Sequence, residues 1–197
     1  MKNTILLLAF ILSSYSLFAK VKEYDAVMYQ LNGDSVICKV TDRGITIKEE
    51  SKEIWMARKI EFILNGLEEK KKATDIAGFK VNVNGSWWVY ESRQFRNSLK
   101  FMLRESYGSD LRLYSFVDYN PLNTYAPLTN WYVFQKVKEK IDCPLVTGIW
   151  SNKNKIVEFF DNCSSVSEKV NDEKINLRTK EGLIAVMQVY EQKCTKK

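Results

Sequence analysis

Carboxylates are the main candidates for catalytic chemistry in this sequence, because it contains no histidine. Without histidine it has no Ser-His-Asp or Cys-His nucleophile and no histidine-containing zinc site. Two carboxylates are enough for glycoside hydrolysis, in which one acts as the acid and the other as base or nucleophile. Nothing in the spacing fixes a pair at the separation that this chemistry needs, so we predict no catalytic residue. The candidates considered are Glu91, Glu105, Asp110 and Asp118.

Motifs for metals and common cofactors are missing from the sequence. It has no CxxC pair, no GxGxxG and no Walker-type phosphate loop. Asn32-Gly33-Asp34 and Asp118-Tyr119-Asn120 are too short for calcium loops and are typical of turns. We therefore expect neither a metal nor a cofactor.

Aromatic residues are concentrated between residues 87 and 134 and give the strongest indication of a binding surface. Tryptophan and tyrosine pack flat against sugar rings and peptide chains. Neighbouring residues of a strand point to opposite faces, so Trp87 and Trp88 cannot both be buried unless both faces are covered. We predict a ligand-binding surface containing Trp87, Trp88, Tyr125 and Trp131. The alternative is that the alternating aromatics fill the core of a sheet.

Four cysteines, Cys38, Cys143, Cys163 and Cys194, allow three complete disulfide pairings in an oxidising compartment. Cys163 and Cys194 each end an apolar stripe with helical spacing, so packing of the two stripes would bring the sulfurs together. The sequence therefore predicts a Cys163–Cys194 disulfide. Cys38 and Cys143 are then either a second bridge or two buried free thiols. The stripes are Ile156, Phe159 and Phe160, and Leu183, Met187 and Tyr190.

Residues 1–19 have the pattern of a signal peptide. Lys2 supplies a positive start, residues 5–12 are apolar, and Ala19 precedes the expected cleavage point. The apolar run is far shorter than the roughly twenty residues of a membrane-spanning helix. We therefore expect cleavage after Ala19, no transmembrane anchor afterwards, and a periplasmic or secreted protein.

The net charge of +6 is spread along the chain. A diffuse excess of lysine and arginine favours solubility and weak attraction to anionic surfaces. It lacks the clustered basic face of a nucleic-acid-binding protein, so we expect no nucleic-acid partner.

Apolar and polar residues alternate with a period of two over most of the chain from Tyr24 to about Val137, which predicts strands. Asn84-Gly85 is typical of a hairpin turn. The charged segment Glu68–Lys72 is expected to be a connector and is the best candidate for an internal boundary. Residues 95–105 fit strand or helix, with strand favoured. Residues 111–119 are expected to form a strand, and residues 120–130 are expected to form a loop.

Helical spacing replaces the alternation from about residue 152 onward. Ser165-Val166-Ser167-Glu168 has the form of a capping box, and Thr179 is a plausible N-cap for the last helix. The C-terminal part is therefore expected to be a small helical unit.

Both ends of the chain resemble a class of small, uncharacterised exported proteins of Bacteroidetes-type bacteria. The resemblance rests on residues 32–40 (NGDSVICKV), residues 159–163 (FFDNC) and residues 189–194 (VYEQKC). It implies an envelope setting and the late disulfide, and it implies no activity.

These features predict an α+β protein with antiparallel β-rich N-terminal and middle parts and a C-terminal helical unit. The expected parts are a signal peptide (1–19), a small β meander or barrel-like sheet (20–67), a second β-rich region (73–150) and the helical unit (151–197). We expect a non-catalytic binding or structural module of the cell envelope, with an envelope protein or polysaccharide as its partner. The alternative is a small carboxylate-based hydrolase that acts on envelope polymers.

Overall fold

The computed structural model is an α+β structure, in which the strands of two antiparallel sheets are followed by three helices. This confirms the predicted fold class. The described residues are 21–43, 45–48, 53–56, 59–106, 108, 110–119, 128–146 and 152–195. The strands are β1 (Glu23–Tyr29), β2 (Ser35–Thr41), β3 (Ile45–Lys48), β4 (Glu53–Met56), β5 (Ile60–Leu64), β6 (Leu67–Lys71), β7 (Gly78–Val83), β8 (Ser86–Phe95), β9 (Ser98–Arg104), β10 (Leu111–Tyr119), β11 (Leu128–Lys136) and β12 (Ile141–Val146). The helices are α1 (Asn152–Phe159), α2 (Ser164–Asn171) and α3 (Lys180–Lys193).

Ten strands form one sheet in the order β12-β11-β10-β9-β8-β7-β1-β2-β5-β6. From β7 to β12 each strand lies beside the next one in the chain. Strand β1 joins this meander to the other part of the sheet, because Met28 pairs with Val36 on one side and with Phe79 on the other. Strands β3 and β4 form a separate hairpin, with Ile47 opposite Ile54, and β4 lies close to β10.

The charged segment Glu68–Lys72 forms most of strand β6 and is not a connector. Its backbone is paired with β5, where Lys70 lies opposite Glu61. Strand β6 is an edge of the ten-stranded sheet, and charged side chains on an edge strand discourage pairing with another chain. The prediction of a connector is wrong for this reason, and residues on both sides of it contribute to one sheet.

Strand β12, which the sequence pattern did not predict, forms the other edge. Pro144 lies opposite Val133 and interrupts the pattern. Proline has no backbone N–H to donate, and an edge strand tolerates it because one side of the strand needs no partner. Cys143 and Leu145 are nevertheless buried, as in a strand with one covered face.

The turn at Asn84-Gly85 is a hairpin as predicted, and both residues have the positive φ that such turns require, 51° and 83°. Residues 95–105 are mostly strand, because β9 spans Ser98–Arg104. This agrees with the favoured alternative. Strand β11 begins at Leu128, inside the segment predicted to be a loop. The rest of that segment, residues 120–127, lies outside the described residues.

The first face of the sheet, defined as the face that carries Phe79, bears an N-terminal core. The Phe79 ring stacks on Tyr90 with centroids 4.9 Å apart and meets Phe62 and Phe101 edge-on at 5.6 and 5.3 Å. Such aromatic contacts add to the free energy gained by burying the rings. This core holds together the strands that lie side by side in the sheet from β9 to β5, which are β9, β8, β7, β1, β2 and β5.

A C-terminal core lies on the same face between strands β10–β12 and the three helices. Phe134 of β11 meets Phe160, which follows α1, edge-on at 5.4 Å. The Phe160 ring in turn lies 5.1 Å from that of Tyr190 in α3. The helical stripes predicted from the sequence therefore pack on the sheet and on each other.

The disulfide between Cys163 and Cys194 is present, as predicted, with the two Cα atoms 5.7 Å apart. It joins the start of α2 to the end of α3. Cys38 and Cys143 are free and buried. Because Cys38 lies in the N-terminal core and Cys143 in the C-terminal core, the alternative of a second bridge between them is wrong.

Helix α3 begins as predicted, because the Thr179 hydroxyl accepts a hydrogen bond from the Gly182 N–H at 3.1 Å. Helix α2 differs from the prediction. Its N-cap residue is Cys163, so Ser165 and Glu168 lie inside the helix and no side-chain hydrogen bond caps its start. A capping box needs its serine at the N-cap position, and Ser165 lies two residues after the N-cap. The prediction of a capping box is therefore wrong.

Residues 1–19, the predicted signal peptide, lie outside the described residues. In the part of the chain that the structure describes, none of the helices is long and apolar enough to cross a membrane.

Candidate functional site

The second face of the sheet, opposite the helices, carries a group of charged side chains that we call the arginine cluster. It consists of Glu91 and Arg93 on β8, Arg104 on β9, and Arg112 and Tyr114 on β10. Residues two apart on a strand point to the same face, and pairing of Tyr114 with Arg104 aligns β10 with β9. Three neighbouring strands thus bring these five side chains together.

Glu91 lies at the centre of the arginine cluster. The Tyr114 hydroxyl donates a hydrogen bond of 2.7 Å to Glu91 Oε2, and Arg104 Nη2 contacts Glu91 Oε1. Nη1 of Arg93 and Nη1 of Arg112 each lie 3.9 Å from Glu91 Oε2, which is beyond hydrogen-bond distance. Glu91 is therefore held by Tyr114 and Arg104, while the other two guanidinium groups lie beside it.

A second chain of contacts extends from Arg93 to the sheet edge. Arg93 Nη2 donates to Gln135 Oε1, and Gln135 Nε2 donates to Asp142 Oδ1 at 2.8 Å. The guanidinium carbon of Arg93 also lies 5.0 Å from the centre of the Tyr114 ring, in cation–π range. The polar network thus connects strands β8 to β12.

Positive charge exceeds negative charge in the arginine cluster. Arginine stays protonated in proteins, and Glu91 supplies the cluster's one carboxylate for three guanidinium groups. The arginine side chains are 28%, 21% and 31% exposed for Arg93, Arg104 and Arg112, so water screens them only partly. Such an arrangement attracts an anion.

An aromatic cluster adjoins the arginine cluster through the Tyr114 ring. Trp131 lies at its margin, where its ring centroid is 5.1 Å from that of Phe95 and 6.4 Å from the nearly parallel ring of Phe116. The guanidinium carbon of Arg96 lies 5.0 Å from the Trp131 centroid. The members of the aromatic cluster are Phe95, Met102, Tyr114, Phe116, Trp131 and Val133.

The structure separates the aromatic residues that the sequence analysis grouped as ligand-binding. Trp87 lies on the second face, is 46% exposed, and has Lys80 Nζ 4.7 Å from its ring centroid. Trp88 lies on the first face and packs against the N-terminal core. Trp131 is on the second face with Trp87, and Tyr125 is outside the described residues. The second face therefore brings together Trp87 and Trp131, but not Trp88.

The four candidate carboxylates are distributed over the fold, and each is paired with a basic side chain. Glu105, on the first face and 8% exposed, accepts from Ser115 Oγ at 2.6 Å and contacts Lys180 Nζ at 2.5 Å. Asp110 pairs with Lys138 at 3.0 Å, and Asp118 with Lys100 at 2.5 Å. Glu91 belongs to the arginine cluster. These contacts give the hydrolase alternative no support.

A cleft of about 380 Å³ lies beside the turn between β1 and β2. Met28, Leu31 and Ile76 supply its apolar surface. Its charged groups already have partners, because Lys71 contacts Glu69 at 2.6 Å and Asp75 accepts from a backbone N–H at 2.8 Å. The cleft lacks the convergent polar groups that orient a small ligand.

Among the described residues there is no group of three or more side chains that could hold a metal ion.

Arg96 and the arginines of the arginine cluster were missed by the sequence analysis. The signal available was Arg93, the one basic residue of β8. It indicated one polar position on one strand and gave no sign that β9 and β10 add two more arginines.

No protein-family model, no curated protein and no solved structure matches this chain. The candidate site therefore rests on its geometry alone.

Proposed function

We propose that this protein is an exported, non-catalytic binding module of the cell envelope that holds a polysaccharide against the second face of its sheet. The observation that carries the proposal is the position of Trp131. Its ring lies at the margin of a preformed aromatic cluster, it is only partly buried, and the Arg96 guanidinium lies beside it.

Export is supported by two independent features. The Cys163–Cys194 disulfide is of the kind that persists in oxidising compartments and is rare in the cytosol. Residues 1–19 have the charge and hydropathy pattern of a signal peptide. The likeness of both chain ends to exported proteins of Bacteroidetes-type bacteria points to the same compartment.

Binding of an extended ligand is supported by the spacing along β8. Trp87, Glu91 and Phe95 point to the same face at intervals of four residues. Because a strand rises about 3.3 Å per residue, these positions span roughly 26 Å. An aromatic position therefore lies at each end of the strip, with the charged network between them. Sugar rings stack on tryptophan faces, and their hydroxyls suit arginine donors.

The proposal is tested by retention of the purified protein, taken from the periplasm of an expression host, on immobilised polysaccharides. We expect Trp131→Ala to weaken retention by roughly tenfold, or about 1.4 kcal/mol, since truncation of an aromatic anchor in a binding surface typically costs more than 1 kcal/mol. Trp131→Phe should keep part of the binding, because it keeps a ring. Leu99 is an exposed residue on the first face, so Leu99→Ala is the matched control and should bind like the wild type.

Equal retention of the wild type and Trp131→Ala on every polysaccharide that binds would contradict the proposal. Thermal unfolding of each variant, followed by circular dichroism, separates loss of the site from loss of the fold.

A further inference from the structure

The charge of the second face indicates which class of polysaccharide it would bind. Near Glu91, the charges of Lys100 and Asp118 cancel because the two side chains form an ion pair. Arg93 is connected to Asp142 only through Gln135. Among the described residues, and counting Asp142, the cluster still keeps one unbalanced positive charge, and Arg96 beside Trp131 adds another. A neutral sugar chain would leave these charges without a counter-ion in a partly buried site, which is costly.

The structure also indicates which arginines face a ligand. Arg104 is already engaged with Glu91. Arg112 makes its closest described contact at 3.4 Å with the Tyr114 hydroxyl, and its distance to Glu91 is 3.9 Å. Arg93 directs one Nη to Gln135 and leaves the other 3.9 Å from Glu91. Arg93 and Arg112 thus flank a carboxylate to which neither is hydrogen-bonded.

Glu91 itself shows what the cluster accepts. A planar carboxylate lies with one oxygen against a guanidinium group and the other against a hydroxyl. Planar, forked guanidinium groups match the carboxylate geometry with two parallel hydrogen bonds. A second carboxylate beside Glu91 would meet Arg93 and Arg112 with the same chemistry.

On the premise of the proposed function, we infer that the bound polysaccharide is acidic and that its sugar carboxylates bind Arg93 and Arg112, while a neighbouring ring stacks on Trp131. In this arrangement Glu91 is a positioning residue. It holds the Arg104 guanidinium and the Tyr114 hydroxyl in place.

The test compares two immobilised polymers that share a backbone, polygalacturonate and its fully methyl-esterified form. We expect at least roughly tenfold tighter binding of polygalacturonate at low salt, because methyl esterification removes the charge-assisted hydrogen bonds between carboxylate and guanidinium groups. Arg112→Gln should remove most of this preference and lower the salt dependence of binding. Lys169→Gln removes the same charge from the exposed side of α2, and it should leave the preference unchanged.

Three outcomes would overturn the inference in distinguishable ways. Equal, Trp131-dependent binding of both polymers would show a polysaccharide-binding protein that does not select for charge. Tighter binding of sulfated dextran than of polygalacturonate would show a site for anions in general. Failure of both polymers and of neutral dextran to bind would remove the proposed function together with this inference.

Discussion

The hydroxyl of Tyr114 on β10 donates a 2.7 Å hydrogen bond to the carboxylate of Glu91 on β8, across the intervening strand β9. Tyr114 is buried and its ring belongs to the aromatic cluster, whereas Glu91 belongs to the charged network. This single contact therefore couples the two halves of the candidate site. A substitution at either residue should therefore alter both the aromatic cluster and the charged network.

Tyr114→Phe keeps the ring and removes the hydroxyl. We expect the free energy of unfolding to fall by about 1.5–3 kcal/mol, because a hydrogen bond to a charged group is lost from a buried position. Urea unfolding measures this. A loss well below 1 kcal/mol would show that arginines alone hold Glu91, and Glu91→Gln, which removes the charge and keeps the shape, would then reveal whether the carboxylate matters.

Removal of the disulfide, by reduction or by the double change Cys163→Ser and Cys194→Ser, should lower the free energy of unfolding by roughly 3–4 kcal/mol. The bridge spans 31 residues, so its loss enlarges the unfolded ensemble by that loop. Peptide mapping without reduction should yield a cross-linked pair containing Cys163 and Cys194. Finding Cys163 joined to another cysteine would contradict the packing of α2 and α3.

The two free thiols should make the protein less stable at alkaline pH. Burial raises the pKa of Cys38 and of Cys143 from 9.0 to about 11. Above pH 9 the unfolded chain loses these protons while the folded chain keeps them, so the free energy of unfolding declines between pH 9 and 11. Cys38→Ala and Cys143→Ala should each flatten that slope. Rapid alkylation of either thiol in the native protein at neutral pH would show that it is not buried.

Tyr90→Phe should be neutral or stabilising. The Tyr90 hydroxyl is buried and has no hydrogen-bond partner among the described residues, which costs about 1–3 kcal/mol. Burial, together with the charge of Glu105, raises the pKa of Tyr90 well above its usual value of 10.0. The neutral side chain is therefore favoured in the fold. A clear loss of stability on denaturant unfolding would mean that a bound molecule satisfies the hydroxyl.

Acrylamide quenching should identify Trp87 as an accessible tryptophan. Trp87 and Trp88 are adjacent but lie on opposite faces, and Trp88 packs against the N-terminal core. We expect Trp87→Phe to lower the Stern–Volmer constant more than Trp88→Phe does. The reverse order would place the water-exposed side of β8 on the first face and would contradict the assignment of the second face.

Strands with regular alternation were predictable from the sequence, and Leu111–Tyr119 was predicted with the observed limits. The edge strands β6 and β12 were not, because charges in one and Pro144 in the other remove the apolar alternation by which strands are recognised. Both departures protect an open edge. The disulfide was predictable because its cysteines end two helical stripes that pack together.

The candidate site was only partly predictable. The alternation rule places Trp87 and Trp88 on opposite faces, as the structure does, but both were assigned to the predicted binding surface, and Trp131 was chosen for its residue type. The arginine cluster is assembled from β8, β9 and β10, and lateral neighbours across three strands depend on register, which the sequence does not display. Glu91 was considered as a catalytic carboxylate, but its arginine partners come from those other strands.

Strand β1 has a consequence for the order in which the molecule assembles. Hairpins from β7 to β12 form between chain neighbours, and such hairpins close within roughly 1–10 μs. Docking of β1 against β7 must instead close the long loop that contains β2 to β6, which costs more entropy before any contact is gained. We therefore expect closure of this one seam to be the slow step in forming the ten-stranded sheet. Until it occurs, β1 and β7 each present an open edge. At this stage the folding chain is most prone to aggregate and most in need of a chaperone.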